Sequence, residues 1–595
     1  MQQHTSKGLF DISQAELKEL FSVKGNPEGK TKALLIFVGL ILSPVTLLGS
    51  LIFFKRAFRI FMEPNNELPR LSKLPPIVRT GMIIGAILIW FFIYLTVQIM
   101  MRVIIWIGGD AVNYNPSAIP IFIGVNILFT LIVWLWFSRW RGGIYKYISE
   151  KQRYGSARIA NEKELAPYRK PEGFYIGFDT FYRKAGHLLT TAGTRAGKGV
   201  NLLLQNLLMP GLFENMSFVV IDPKGELAAI SANVQRKAGR KVFILNPWNL
   251  LSLASVGYNP LDILKSDPLH LADDVQMMAE SIVPAGGGKE DDHFQDRARA
   301  FISTLLLHLV TAAPVEDRHL GTLWQWLRLD QKDWALLLAD MMLNDDPHVG
   351  DIVKAGANEI ASLMKTSERE YGSVMSSAQK CTDFIKSPAL RDSMKGTDGF
   401  TSADLASGNV TVYLCIPFDR LKTHNAWLRL VVTSLMRSVV RNPQKDVCFL
   451  IDEAYAFGYH SEIDMALGAY AGLGIHVWLI FQSLIQIKKI HGDNWENFIA
   501  NCSVRHFFNI SDNFSADYIS HLFGTTSMPS YDDKGNITGA SPRPLVTPDE
   551  LRRESGKTIY TVIDQLAPAL IPKMPYYKMG LDCDPNPYYK PEINN

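Results

Sequence analysis

Two short runs, far apart in the chain, carry residue types suited to handling a nucleoside triphosphate. The first is TTAGTRAGKGV, a glycine-rich run comprising Gly193, Thr194, Arg195, Ala196, Gly197, Lys198, Gly199 and Val200 after Thr190, Thr191 and Ala192. A phosphate loop reads Gly, four residues, then Gly-Lys-Ser/Thr. Here Ala192 replaces the first Gly, and Gly199 occupies the hydroxyl position. Consecutive backbone N–H groups and the positive end of the following helix attract a polyanion, and a lysine such as Lys198 reaches the β- and γ-phosphates. Taken alone, the run fits a damaged nucleotide site, a chance turn, or a loop variant peculiar to one motor family.

The second run is VCFLIDEAYAFG, in which four apolar residues lead into Asp452 and Glu453. That pattern places two carboxylates at the tip of a core strand. In an NTPase the first holds Mg²⁺ and the second activates water; a purely structural strand end is the alternative. HVWLIFQ puts Gln482 at another strand tip, where an amide can sense a γ-phosphate or simply face solvent. FVVIDPKGEL puts Asp222, Lys224 and Glu226 at a turn set by Pro223 and Gly225. With the phosphate loop on the adjacent strand, Asp222 and Lys224 would line the nucleotide cleft or relay its state; a purely structural turn is the alternative.

The elements that must position these residues are legible from about residue 155. Apolar, β-branched runs (HLLTTAG, SFVVID, KVFILNP, VTVYLCIP, VCFLIDE, HVWLIFQ, VRHFFNI) alternate with helical patterns. This rhythm predicts an α/β fold with a mostly parallel, doubly wound sheet. GVNLLLQNLLMP predicts a helix ended by Pro210. Between residues 264 and 397 the rhythm breaks into Leu-, Met- and Trp-rich segments at helical spacing, which predicts an all-helical insertion. The expected organisation is a tail at 1–32, an apolar region at 33–140, a nucleotide-binding domain at 141–263 and 398–575, the helical insertion, and a tail at 576–595.

Composition narrows the function class. The 595 residues carry a formal net charge of +3, which argues against a uniformly basic nucleic-acid coat. Five scattered cysteines without a CxxC pair argue against a disulfide framework or zinc site and fit a reducing compartment. Residues 33–54, 80–101 and 118–138 contain no charged side chain and are long enough to span a bilayer. Pro44 makes the first a candidate re-entrant segment. Lys55, Arg56, Arg59, Arg70, Lys73 and Arg79 lie between the first two stretches, Arg102 alone between the next two, and Arg139, Arg141, Lys146, Lys151 and Arg153 follow the third. The positive-inside bias therefore puts the large C-terminal part in the cytoplasm. Lys7, Lys18, Lys24, Lys30 and Lys32 in the N-terminal tail conflict with three full spans, a conflict that a re-entrant first stretch resolves.

Taken together and in order, TRAGKGV, VIDPKGEL, YNPLD, SEREYGSVMSSAQ, LIDEAYAFG, FQSLIQIKKIHG, NISDNFSADYISHLFG and RPLVTPDEL resemble the type IV secretion coupling proteins, the TraG/TraD-like ATPases of conjugation and effector secretion. The similarity runs through nearly all of residues 150–575. The resemblance implies a RecA-like P-loop NTPase domain bearing an all-α inserted domain behind an N-terminal transmembrane region. It implies a homo-hexameric ring, multi-pass in the bacterial inner membrane, that binds ATP and Mg²⁺ and delivers a DNA–relaxase complex or protein effectors to the secretion channel. On the family pattern Lys198 and the 193–200 backbone bind phosphate, Asp452 coordinates Mg²⁺, Glu453 is the catalytic base and Gln482 senses the γ-phosphate.

Two departures stand out. Gly199 supplies no magnesium ligand, leaving Thr191, Thr194 or water to substitute. From Ala454 to Phe481 there is no Arg or Lys to act as an arginine finger, leaving Arg369 and Arg505 as candidates. A membrane-tethered DNA translocase of the FtsK/HerA kind and a non-hydrolysing docking platform are the competing readings. The near-neutral charge weighs against the first, and the intact Asp452, Glu453 and Gln482 against the second.

Overall fold

The computed structural model describes residues 153–588 except 266, 284–288, 397–398 and 532–536. The stretches at 33–54, 80–101 and 118–138, the tail at 1–32 and the last residues of the C-terminal tail therefore lie outside the described residues. No helix among the described residues is long and apolar enough to cross a membrane.

Thirteen strands are described: β1 (Phe174–Gly177), β2 (Thr180–Tyr182), β3 (His187–Ala192), β4 (Ser217–Asp222), β5 (Lys241–Leu245), β6 (Val410–Cys415), β7 (Val447–Asp452), β8 (Ile475–Phe481), β9 (Cys502–Phe508), β10 (Thr525–Tyr531), β11 (Ile537–Pro544), β12 (Thr558–Ile563) and β13 (Ala569–Pro572). Nine form one sheet in the order β13-β12-β9-β3-β8-β7-β4-β6-β5. The seven strands from β9 to β5 pair in parallel, and β12 runs antiparallel to both β9 and β13. β1–β2 and β10–β11 are separate antiparallel pairs.

The continuous apolar runs are explained by burial on both faces. Every residue of β3, β4, β6 and β8 is buried, whereas the edge strands β5 and β13 expose part of their length. Side chains alternate between two cores. Leu188, Val220, Leu450 and Trp478 pack on one face with Leu202, Leu203 and Leu207, which follow the glycine-rich loop. Leu189, Val219, Ile221, Phe449 and Leu479 pack on the other with Val275, Met278, Ile302 and Leu305. Each such large aliphatic side chain, fully buried, stabilises the fold by about 1.5–3 kcal/mol.

Between β5 and β6 the described residues contain no strand. They form helices at Leu271–Ile282, Lys289–Thr311, Leu320–Trp326, Gln331–Met342, Gly350–Thr366 and Glu368–Cys381, with shorter ones at Pro388–Ser393 and Ser402–Ala406. Two of these starts are capped by side chains: Asp330 accepts hydrogen bonds from the Lys332 and Asp333 amides at the head of the Gln331–Met342 helix, and Thr401 and Asp404 form a capping box at the head of Ser402–Ala406. This segment and the sheet share an apolar core and lie within one compact unit, Lys151–Asn595.

Two features depart from the sequence expectation. The strand ending in Asp222 is not adjacent to the phosphate-loop strand, because β8 and β7, from much later in the chain, insert between β3 and β4. β1, β2, β12 and β13, which lie outside the parallel part of the sheet, carry no long apolar run. Three of them have only 3 or 4 residues, too short to show a period.

Candidate active site

The C-terminal ends of β3, β8, β7 and β4 converge on the residues singled out above. β3 ends at Ala192, and the turn that follows carries Arg195 (φ 57°) and Gly197 (φ 77°) in the left-handed region. A side chain at Gly197 would meet Asn201 Nδ2 at 2.6 Å, and Asn201 uses that amide to bond the Gly197 carbonyl at 2.8 Å. Gly193 packs so closely on the end of β9 that a Cβ would lie 2.5 Å from the Asn509 carbonyl oxygen. These two glycines are sterically required. Gly199 is not: a Cβ there meets nothing within 4 Å. The helix after the loop begins with a π turn, Gly199–Leu203, continues as Leu204–Leu208, and stops before Pro210.

Lys198 Nζ lies 2.9 Å from Asp452 Oδ1 and 3.5 Å from Glu453 Oε2. Burial lowers the Lys198 pKa, but Asp452 and then Glu453 outweigh it and hold the ammonium above the usual lysine range. Glu453 sits in a left-handed conformation (φ 79°, ψ 52°) at the head of the short helix Ala454–Phe457, which for a non-glycine residue costs on the order of 1 kcal/mol. Gln482 Nε2 donates to Glu453 Oε1 at 2.9 Å and Oε2 at 3.2 Å, and the Thr194 hydroxyl donates to Gln482 Oε1 at 3.4 Å. A single polar chain thus runs Thr194, Gln482, Glu453, Lys198, Asp452.

Asp222 is buried at the tip of β4, accepting from the Ala228 amide at 2.9 Å and the Lys224 amide at 3.3 Å. Burial, with Asp452 nearby, pushes its carboxyl up to about 7. Lys224 is exposed. Of the possible replacements for the missing hydroxyl, Thr191 is buried with its oxygen unpartnered, and its neighbours Leu189 and Phe481 pack on the face opposite the loop helix. Thr194, joined to Gln482, lies on the polar chain itself. Arg369 is exposed on the Glu368–Cys381 helix. Arg505 lies inside β9, paired in register with Leu189 and Val562, its Nε buried without a partner.

The donor set fits a magnesium ion shared with phosphate. Asp452 Oδ1 is buried and pairs with the Lys198 ammonium at 2.9 Å. Among the described residues no group of three or more His, Cys, Asp or Glu is built to hold a metal alone. Mg²⁺ characteristically takes one or two carboxylates and completes its shell with phosphate and water oxygens.

Sequence reasoning missed the C-terminal segment that wraps the site. Lys573 Nζ donates to the Ala196 carbonyl at 3.3 Å, Gln205 Nε2 to the Met574 carbonyl at 2.7 Å, and the Tyr588 hydroxyl to the Lys224 carbonyl at 2.7 Å. These contacts involve mainly backbone oxygens, so no motif marks them.

Residues 146–594 match the family described as type IV secretory system conjugative DNA transfer. The chain is 26% identical over 391 residues to the conjugal transfer protein TraG of Rhizobium radiobacter, covering 62% of this chain and 59% of that protein. It is 26% identical over 412 residues to the protein VirD4 of Agrobacterium fabrum, covering 66% and 58%. The aligned region thus spans about six-tenths of the length of these curated relatives. The solved plasmid coupling protein TrwB, in complex with ADP and Mg²⁺, superposes with a TM-score of 0.53 at 19% identity, covering 71% of this chain and 95% of that one. At that identity the likeness is one of fold.

Proposed function

The chain belongs to the type IV secretory system conjugative DNA transfer family, and from that membership we propose that it is a membrane-anchored ring ATPase, a coupling protein that delivers substrates to a type IV secretion channel. The observation that carries this reading is the convergence of Lys198, Asp452, Glu453 and Gln482 at adjoining strand tips. A cation, a metal-binding carboxylate, a second carboxylate and a sensing amide are the groups that triphosphate hydrolysis needs.

In this reading the backbone from Gly193 to Val200 and the Lys198 ammonium take the phosphates, and Asp222 and Lys224 line the far side of the cleft. Asp452 would hold Mg²⁺, which would supply positive charge to the phosphate oxygens. Lys198 exchanges its present carboxylate partners for phosphate oxygens. Glu453, released from Lys198, accepts a proton from the attacking water. The new O–P bond forms at the γ-phosphorus as the bond to the β-phosphate oxygen breaks, giving ADP and inorganic phosphate. Gln482 reports which of the two states is present. Of the two candidate fingers, Arg369 has the exposure that a group reaching a neighbouring subunit requires.

Beyond the site, the apolar stretches at 33–54, 80–101 and 118–138 would anchor the chain in the bacterial inner membrane, with the ATPase unit cytoplasmic and assembled as a homo-hexamer. The family description and the relatives' names favour conjugative DNA over protein effectors as cargo. The test is turnover by the purified full chain carrying Lys198→Ala or Glu453→Gln. The first should lose ATP binding; the second should bind ATP and lose hydrolysis by about a hundredfold or more. Unchanged turnover in both refutes the assignment.

A further inference from the structure

The glycine-rich loop is held from outside by a residue that no motif announces. Lys573 follows β13 at the edge of the sheet. Its Nζ donates to the Ala196 carbonyl at 3.3 Å and the Gly556 carbonyl at 2.8 Å, and it stands 4.6 Å from the centre of the Phe508 ring. Its backbone amide donates to the Lys557 carbonyl at 3.2 Å. The next residue, Met574, accepts from Gln205 Nε2 at 2.7 Å, and the same amide donates to the Val200 carbonyl at 2.7 Å. Lys573 therefore holds the loop and Met574 the helix that follows it, through Gln205.

The loop's own geometry makes that grip consequential. A phosphate cradle turns its N–H groups inward, so its carbonyls point away and need donors elsewhere. Ala196 stands between Arg195 and Gly197, both left-handed, and its carbonyl is satisfied by Lys573. The half-buried ammonium has carbonyl oxygens and a ring for company, with no carboxylate in hydrogen-bonding contact.

We propose that Lys573 is a second cation of the triphosphate site, a positioning residue that braces the loop through the Ala196 carbonyl and adds positive charge to the bound polyphosphate's surroundings. This rests on the nucleotide reading given above. Burial alone holds its pKa down, at about 8. The charged and titratable groups on the neighbouring elements are Arg195 and Lys198 on the loop, Cys502, Arg505 and His506 on β9, Asp549, Glu550, Arg552, Arg553 and Glu554 on the helix before β12, Lys557, Tyr560 on β12, and Tyr576, Tyr577 and Lys578 beyond. None of them contributes to that shift. Polyphosphate favours the protonated form. Affinity is therefore greatest below the pKa and falls as pH rises through it, while Lys198, held above the lysine range, stays charged throughout.

The experiment is titration of the full chain with a non-hydrolysable ATP analogue and Mg²⁺ from pH 7 to 9, for the wild type, Lys573→Met, Lys573→Arg and Lys198→Ala. Wild-type affinity should fall several-fold across this range. Lys573→Met should bind about tenfold more weakly at pH 7, the scale of one charge-assisted hydrogen bond, and lose the pH dependence. Lys573→Arg, charged throughout, should match the wild type at pH 7 and stay flat to pH 9. Wild-type affinity in Lys573→Met, or an undiminished decline in Lys573→Arg, overturns the proposal; if the Met variant fails to fold, the Arg profile decides. Loss of binding only in Lys198→Ala sinks this inference and leaves the nucleotide site standing, whereas a wild type that binds no nucleotide sinks both.

Discussion

Lys198 Nζ and Asp452 Oδ1 meet at 2.9 Å although a whole strand, β8, runs between the strands that carry them. The lysine reaches across the tip of β8, past Gln482, to pair with a carboxylate that would otherwise be buried alone. The pair keeps each charge compensated until a triphosphate and its metal replace both partners. Asp452→Asn should therefore leave Lys198 with Glu453 as its one carboxylate partner, easier for phosphate to draw away, while removing the proposed metal ligand. Nucleotide binding without magnesium should be retained or tightened, and the magnesium concentration for half-maximal hydrolysis should rise about tenfold or more. A magnesium titration of turnover checks this; an unchanged midpoint removes Asp452 from the metal site.

The hydroxyl missing at position 199 offers the complementary change. Nothing lies within 4 Å of a Cβ placed on Gly199, and its φ is not in the left-handed region. Gly199→Ser should therefore fold normally and supply one more oxygen ligand. The expected result is a several-fold lower magnesium requirement in the same titration. If the midpoint does not move, the shell is already complete, with Thr194 as the nearest hydroxyl on the polar chain.

How far the sequence disclosed this arrangement depends on the element. The seven parallel strands were legible because burial on both faces forces continuous apolar runs, as in IHVWLIF and VCFLID. The residues meeting at Lys198 were legible because each sits at the end of such a run. Strand order was not: SFVVID reads like any central strand, and only the inserted β7 and β8 show that Asp222 stands two strands further from the loop than expected. Lys573 was invisible because it acts through a carbonyl, and every residue type offers a carbonyl.

Gln482 shares its amide nitrogen between both oxygens of Glu453, at 2.9 and 3.2 Å. Those bonds fix the carboxylate of the proposed base, whose backbone is in the left-handed region. Gln482→Ala should leave nucleotide affinity within about threefold of wild type but lower kcat by about ten- to a hundredfold, because the amide that bonds Glu453, the proposed phosphate sensor, is gone. Separate measurement of Kd and kcat checks this. A change confined to Kd would make Gln482 a binding residue.

A substitution at Gly197 tests the loop geometry independently of charge. Gly197 has φ 77°, and an added Cβ would lie 2.6 Å from Asn201 Nδ2, the amide that caps the Gly197 carbonyl. Gly197→Ala should lower nucleotide affinity by at least about tenfold, since the strain falls on the N–H groups that would face phosphate. Because the loop is at the surface, the melting temperature should shift by only a few degrees. A large loss of stability with intact binding would show that the loop's role is structural.

The last prediction concerns pH and the strand that carries the loop. His506, fully buried in β9, pairs in register with Thr190 of β3, and the Thr190 hydroxyl lies 3.1 Å from its Nδ1 while accepting from Trp478 Nε1 at 2.9 Å. In the neutral ring with hydrogen on Nε2 the hydroxyl donates its proton to Nδ1 while one of its lone pairs accepts from Trp478. Burial pushes the His506 pKa down to about 3, and those of His187 and His460 to about 4. Between pH 6.5 and 4 the unfolded chain binds protons that the folded chain refuses, so stability rises with pH across that window and is lost on acidification. Each histidine contributes a slope of up to about 1.4 kcal/mol per pH unit. His506→Gln keeps an acceptor for Thr190 but cannot titrate. Its denaturant-unfolding free energy, followed by tryptophan fluorescence at several pH values, should therefore climb less steeply by about one proton's worth. An unchanged slope would mean that the ring is protonated in the folded chain and that the Thr190 hydroxyl is not its donor.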